Sequence, residues 1–560
     1  MWSASEAPPQ TAQTSVSSRL AAKRVSAAPL RGARQLVCLL LLATAPAEAQ
    51  VTRDMLIHAE ERPGDWMMYS GQYHSQRFSR LTQIDRSTVR GLQLAWVRQL
   101  NTLGQVQTSP LVVDGVMYVT TPENEVLALD AATGQVFWSY VHPLEDVLTL
   151  CCGKQSRGVA MLGNTLYLAT MDARLVALDA ATGHVVWNTE VANYLDGYSL
   201  TAAPLVVRDL VITGIAGGEF GIRGFVDAYD VKTGARRWRT QMIPGDGEPG
   251  NDTWEGDSWT TGGASTWQTG AYDPELNLIY WGVGNPAPDW NGETREGDNL
   301  YSDSVVAMDG DTGEIRWHFQ FTPHDVHDWD ACQTPVLVDA MWEGRPRTLM
   351  YWANRNGFFY VLDRQTGEFL SAFEYATQTW AERIDDQGRP VRVPNMEPSR
   401  EGRLVFPEVN GASNWWSPSY SPQTELFYTM AYDGGAIFYT ADAEYEPGKL
   451  FVGGSYARPA PVDTFHSAIR AIDPTTGTRR WEFPVQSKSM SGVMATAGGL
   501  VFAGTVTGNF LALDAETGAA LWRTPLGGEI IAAPVTYLSN GRQQVTIAAG
   551  HAIFTFALPE

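Results

Sequence analysis

One phrase recurs along this chain and limits what it can fold into. It reads "ALDAATGQVFW" ending at Trp138, "ALDAATGHVVW" at Trp187 and "AYDVKTGARRW" at Trp238. It returns as "AMDGDTGEIRW" at Trp317, "AIDPTTGTRRW" at Trp481 and "ALDAETGAALW" at Trp522. A worn copy surrounds Asp363 and a degenerate one ends at Trp96, making eight. Each copy spells strand, tight turn and strand, with glycine supplying a positive φ in the turn. The tryptophan is large enough to wedge between neighbouring sheets. Short strands fill the intervals, as in "SPLVVDGVMYVTT", where Asp114-Gly115 marks a hairpin. Roughly four strands per repeat of about 40 to 55 residues predicts an all-β, eight-bladed β-propeller with tryptophan-docking repeats. Two stacked sandwiches give no reason to repeat one turn phrase. The longer gaps, 239–306 and 372–470, are expected to hold insertions that shape a funnel over the face carrying the active site.

The apolar run at 36–43, "LVCLLLLA", is too short to span a bilayer. Arg31 and Arg34 precede it and "AEA" follows, with the small residues Ala47 and Ala49 where a signal peptidase needs them, the pattern of a secretory signal, residues 1–49. Residues 50–560 are then expected to form a single exported propeller domain, without stable membrane insertion. The net charge of −22 becomes more negative without that basic segment, which argues against nucleic acid and anionic membranes as partners. The cysteines beyond the leader are Cys151, Cys152 and Cys332, so no CxxCH motif attaches a c-type haem to this chain.

Several stretches carry chemistry. "GDGEPG" at 245–250 matches a dinucleotide fingerprint on paper, but it opens no helix and lies in an all-β chain, so it is set aside. The adjacent cysteines of "CCGKQSR" can close only a strained eight-membered disulfide ring, and two reduced thiols are the alternative; export favours the disulfide. "GIAGGEFGIRG" surrounds Glu219 with glycines, including Gly217 and Gly218, which let backbone approach a ligand. "TPHDVHDWDACQ", 322–333, packs Asp325, Asp328 and Asp330 with His324 and His327.

Together these stretches, in this order, resemble the PQQ-dependent quinoprotein alcohol dehydrogenases of the methanol and ethanol dehydrogenase group, from about Asp65 to the C-terminus. The resemblance implies PQQ and one metal ion near the propeller axis. It implies that Cys151–Cys152 forms a ring disulfide above the PQQ plane and that Trp267 lies beneath it. Arg157, Thr201, Asn414 and Trp415 match cofactor-binding positions, and Glu219 and Asn285 match metal ligands. Arg355 matches the arginine beside the reactive quinone carbonyl, and Asp328 the catalytic base. In this family an aspartate two residues after the base marks members that use a lanthanide, so Asp330 implies a lanthanide, with calcium as the alternative. All these metal donors are hard oxygens, which leaves the two histidines as loop-orienting residues rather than ligands. Gln107 and Ala216 depart from the pattern, where some members carry glutamate and serine, and each removes or weakens one polar contact to PQQ. The implied activity is periplasmic oxidation of primary alcohols to aldehydes, with electrons passed to a soluble cytochrome c. Polyols or sugars are alternative substrates, and a non-catalytic propeller scaffold sharing the repeat phrase is the remote alternative.

Overall fold

The computed structural model describes residues 51–145, 147–458 and 465–560. The leader expected over 1–49, and the boundary at 50, lie outside the described residues.

The chain is almost wholly β, and its fold is an all-β propeller. Among the described residues, eight sheets hold four or five strands each. A representative one runs Leu111–Val113, Val116–Thr120, Glu125–Asp130 and Val136–Val141 in sequence order. Its first three strands are nearly all buried, whereas the fourth alternates toward solvent, so the fourth strand is the outer one. The Asp114-Gly115 hairpin forms as expected, with φ of 47° and 82°.

The repeat phrase closes the outer hairpin of seven of these eight sheets. Asp130 Oδ1 accepts from Ala132 N at 2.7 Å and Thr133 N at 3.1 Å, and Gly134 takes a φ of 71°. Trp138 then pairs across the ladder with Ala128, a residue small enough to leave room for the indole. The equivalent pairs are Ala177 with Trp187, Ala228 with Trp238 and Ala307 with Trp317. Each indole lies against the turn glycine of the following sheet. A Cβ on Gly183 would stand 2.6 Å from the Trp138 ring, and one on Gly313 2.5 Å from the Trp238 ring. Trp96, Trp138, Trp187 and Trp481 also donate their indole N–H to the next turn's carbonyl at 3.0–3.1 Å, at Ala131, Ala180, Val231 and Ala515.

Both imperfect copies have structural causes. Where the worn copy carries Ser371, Phe373 covers Gly477 instead. Trp96 sits in strand Gln93–Gln99, which pairs with Ala552–Ala557 at the far end of the chain. Its sheet is completed by the last three strands, so the first copy retains only the tryptophan strand.

In an antiparallel meander, alternate connections emerge at the same end. The repeat turns and the first hairpins therefore share one end. The connections entering each first strand and those between second and third strands share the other. The segment 372–470 adds a two-stranded and a three-stranded sheet, the latter joining Arg403–Val405, Ala436–Thr440 and Gly454–Ala457.

Candidate active site

Every sequence-predicted site residue comes from that second end. Cys151, Cys152 and Arg157 precede strand Val159–Leu162, and Thr201 precedes Leu205–Val207. Glu219 lies in the turn after Leu210–Gly214, Trp267 before Ala271–Asp273, and Asn285 after Leu278–Gly282. Asp328 and Asp330 precede Val336–Trp342, Arg355 links Arg345–Ala353 to Phe358–Asp363, and Asn414 and Trp415 precede Ser419–Ser421.

Asp330 is the hub. Its Oδ2 accepts from Arg355 Nη1 at 2.6 Å and Trp267 Nε1 at 3.0 Å, and its Oδ1 from the Asn285 backbone N at 2.8 Å. A carboxylate has about four lone-pair positions, so one on Oδ1 remains open. Gly284 makes this approach possible, because a Cβ there would stand 2.3 Å from Oδ1. Arg355 also reaches Asp328 Oδ1 at 3.3 Å and donates to Val409 O. The arginine thus bridges the two aspartates, a pairing that sequence spacing does not reveal.

Electrostatically the pocket is strained toward neutral acids. Burial raises the Asp328 carboxyl well above its ordinary range; Arg355 opposes this while Asp330, Asp289 and Glu219 add to it. Glu219 is raised by burial and by Asp330. Burial works against the Arg355 charge too, but Asp328 and Asp330 outweigh it and raise its pKa. Such an arrangement calls for a cation.

Beside it lies an aromatic cradle. The Arg157 guanidinium stands 4.9 Å from the Trp267 ring and 5.2 Å from the Trp415 ring. It donates to Thr201 O at 3.3 Å and Gln155 Oε1 at 2.7 Å, while its buried Nε has no partner among the described residues. Burial lowers its pKa to about 10. Arg355 Nε and Gln107 Oε1 are likewise buried without a partner. Asn414 Oδ1 accepts from the Trp415 N at 2.8 Å and faces the buried Cys332 Sγ at 3.4 Å. The orphaned Arg157 N–H over two aromatic faces suits a flat anionic ligand.

Cys151 and Cys152 are exposed, within 4.8 Å of a Glu219 carboxylate oxygen. Their Sγ atoms lie 2.7 Å apart, so the two side chains turn toward each other. Gly217 and Gly218 do not simply open space for a ligand. A Cβ on Gly217 would stand 2.1 Å from Gly197 O and one on Gly218 3.2 Å from Ser265 Oγ, so other loops pack against both. The histidines are engaged elsewhere: His324 Nδ1 meets Gly297 O at 2.8 Å, and His327 Nε2 meets Met396 O at 2.9 Å. His327 also stacks on Trp329 with centroids 4.3 Å apart. Asp325 shapes the loop by accepting from His327 N and Trp329 N.

The family model "Glucose/ethanol/alcohol dehydrogenase, beta-propeller domain", for PQQ proteins, matches residues 66–379. The quinohemoprotein alcohol dehydrogenase ADH IIB of Pseudomonas putida is 39% identical, over 93% of this chain and 78% of that protein. The lanthanide-dependent methanol dehydrogenase of Methylacidiphilum fumariolicum is 36% identical, over 88% and 85%. The chain belongs to the PQQ-dependent alcohol dehydrogenase family. Two solved members show the same backbone. The quinohemoprotein alcohol dehydrogenase of Comamonas testosteroni superposes with a TM-score of 0.88 at 34% identity, over 92% of this chain and 85% of that one. A europium-containing methanol dehydrogenase gives 0.86 at 33%, over 90% and 100%. A second model, "Outer membrane protein assembly factor BamB", matches only 466–553, a stretch containing two copies of the repeat phrase.

For a quinoprotein dehydrogenase the donor set is apt. Glu219, Asn285, Asp328 and Asp330 offer only oxygen, which fits a hard cation. One buried acid was missed by sequence reasoning: Asp289, 1% exposed, four residues after Asn285. Its only signal was an aspartate in an otherwise apolar "PAPDW".

Proposed function

We propose that this protein is a quinoprotein alcohol dehydrogenase oxidising primary alcohols to aldehydes, with a lanthanide as its metal. On this reading residues 50–560 form one propeller, each of the eight main sheets is a blade, and the docked tryptophans hold the ring rigid enough to position the site. Arg157, Thr201, Trp267, Asn414, Trp415 and the Cys151–Cys152 pair, closed as a disulfide on export, hold PQQ. Glu219, Asn285, Asp328 and Asp330 hold the metal. PQQ supplies the two-electron acceptor and the metal the Lewis acid that polarises it.

The chain's own residues do the rest. Asp328 takes the hydroxyl proton at its carboxylate. Arg355 holds that carboxylate in place and offers positive charge where oxygen becomes anionic. Trp267 fixes Asp330 through its indole N–H while presenting its face to the cofactor. The segment 372–470 excludes water: its Met396 O holds His327, and its Phe451 N donates to Glu219 O at 2.7 Å.

The observation that carries the lanthanide reading is Asp330, locked by three donors with one lone pair open beside Asn285. A third carboxylate neutralises a trivalent ion better than a divalent one. The relatives named lanthanide-dependent and europium-containing point the same way. The acidic chain suits a basic, soluble cytochrome c as periplasmic acceptor. Protein reconstituted with PQQ should reduce an artificial dye with short alcohols when lanthanum or cerium is supplied. Equal or greater turnover with calcium alone refutes the lanthanide assignment.

A further inference from the structure

Glu408 is a buried carboxylate that the chemistry above leaves unused, yet three site groups are held by the connection it begins. It follows strand Arg403–Val405 of the inserted three-stranded sheet, and its own N–H donates to Gly434 O at 2.7 Å. Its backbone O accepts from Trp329 Nε1 at 3.3 Å, and Trp329 stands between Asp328 and Asp330 in the chain. The next carbonyl, Val409 O, accepts from Arg355 Nη2, and Ala412 N donates to Arg355 O at 2.9 Å. Gly411 lies flat on the same arginine, since a Cβ there would stand 2.5 Å from Arg355 Cβ. Asn410 O accepts from Asn414 Nδ2 at 3.0 Å. Residues 408–412 thus hold Arg355 by its main chain and its guanidinium, and hold Trp329 and Asn414 as well.

The Glu408 carboxylate is what fixes residues 408–412. Fully buried, its Oε1 accepts from Lys488 Nζ and from Asn410 Nδ2 at 3.1 Å, and its Oε2 from Arg458 Nε at 2.7 Å. Lys488 lies in the connection before strand Val493–Thr496, and Arg458 follows Gly454–Ala457. One carboxylate therefore ties a propeller sheet and the inserted sheet to the connection that grips Arg355. Apolar packing would fill this space at no greater cost. Two charge-assisted hydrogen bonds from different directions instead fix where the connection stands.

We propose that Glu408 is a positioning residue of the dehydrogenase: clamped by Lys488 and Arg458, it sets the placement of the Arg355 guanidinium between Asp328 and Asp330. The inference rests on the reading of Arg355 and Asp328 given above. The guanidinium spans Asp328 Oδ1 at 3.3 Å and Asp330 Oδ2 at 2.6 Å, so a shift of about 1 Å breaks the bridge and costs on the order of 100-fold in rate.

The test is a double-mutant cycle of Glu408→Gln with Arg355→Ala in the PQQ- and metal-loaded protein, assayed well below the melting temperature. E408Q removes the charge and keeps the shape. It should lower kcat about 10- to 100-fold while KM changes less than about threefold, because Arg355 acts on charge that develops during the reaction. In the R355A background the same change should lower kcat less than about twofold, since the group through which Glu408 acts is gone. Lys488→Met should repeat the loss, and Lys488→Arg, which keeps the cation, should recover part of it. Asp227→Asn, which breaks the buried Arg239 pair at 2.7 Å in another sheet, should lower the melting temperature but leave kcat unchanged. Hydrogen exchange on the cofactor-free proteins gives a readout apart from turnover: the amides of 408, 411 and 412 should exchange at least about tenfold faster in E408Q and not in D227N. An equal kcat loss in both backgrounds, an equal loss in D227N, or unchanged exchange at 408–412 overturns the positioning role. Wild-type kcat in R355A alone overturns the reading of Arg355 instead.

Discussion

Replacing Arg355 by alanine should move the pH dependence of catalysis in a calculable direction. Arg355 stands 3.3 Å from Asp328 and is the largest influence holding that carboxyl down against burial. At an effective dielectric constant of about 20, a pair at that distance interacts by about 5 kcal/mol. The Asp328 side chain is 17% exposed, so water screens part of this, and loss of Arg355 lets the carboxyl rise further. The base works only when deprotonated, so the acid limb of kcat/KM should move to higher pH, with activity lost near neutrality and partly regained in alkali. Arg355→Lys separates charge from geometry. One ammonium cannot serve Asp328, Asp330 and Val409 O together, so R355K should lose about 10- to 100-fold at all pH values with the limb nearly in place. Dye-linked rates across pH for the wild type and both variants measure this. An unmoved acid limb in R355A would refute the assignment of Asp328 as a base governed by Arg355.

Gly313→Ala tests the docking of Trp238. Its φ of 74° and a Cβ 2.5 Å from the indole imply about 1–2 kcal/mol of backbone strain and about 1–3 kcal/mol of overpacking. Gly344→Ala, at φ 78° with open space around it, should show only the backbone part, so calorimetry should find the smaller loss there. Glu408 is buried between Lys488 and Arg458; burial alone would raise its carboxyl, but these two cations hold it below the ordinary range. Its stabilising contribution is complete above about pH 4.3 and fades as pH falls through the lower folded value. Glu408→Gln should therefore cost about 3 kcal/mol between pH 5 and 7, and that gap in chemical denaturation should narrow below pH 4.

The propeller was legible because its information is local. Aspartate, threonine and glycine at fixed offsets build the turn, an alanine opposite leaves room for the indole, and each sheet needs only its neighbour. The sequence also pointed to the aspartates of the 322–333 loop, since two acids two apart with an arginine motif elsewhere form a recognisable pattern. Other features were not legible. That Phe373 replaces a missing tryptophan depends on the path of one strand past Gly477. Pairing of the cysteines depends on oxidation, which no local sequence pattern fixes.

What the sequence by itself determined was the repeating sheet and the kinds of donor available, because turn chemistry and oxygen ligands are properties of short segments. What only the tertiary structure decided was which donors meet. Glu219, Asn285, Asp330 and Arg355 lie on separate connections, brought to one end because alternate links of a meander emerge together. The bridging of Asp328 and Asp330 by Arg355, and the inward turn of Asp289, follow from ring closure and from backbone anchors more than a hundred residues apart in the chain. No local rule fixes such distances.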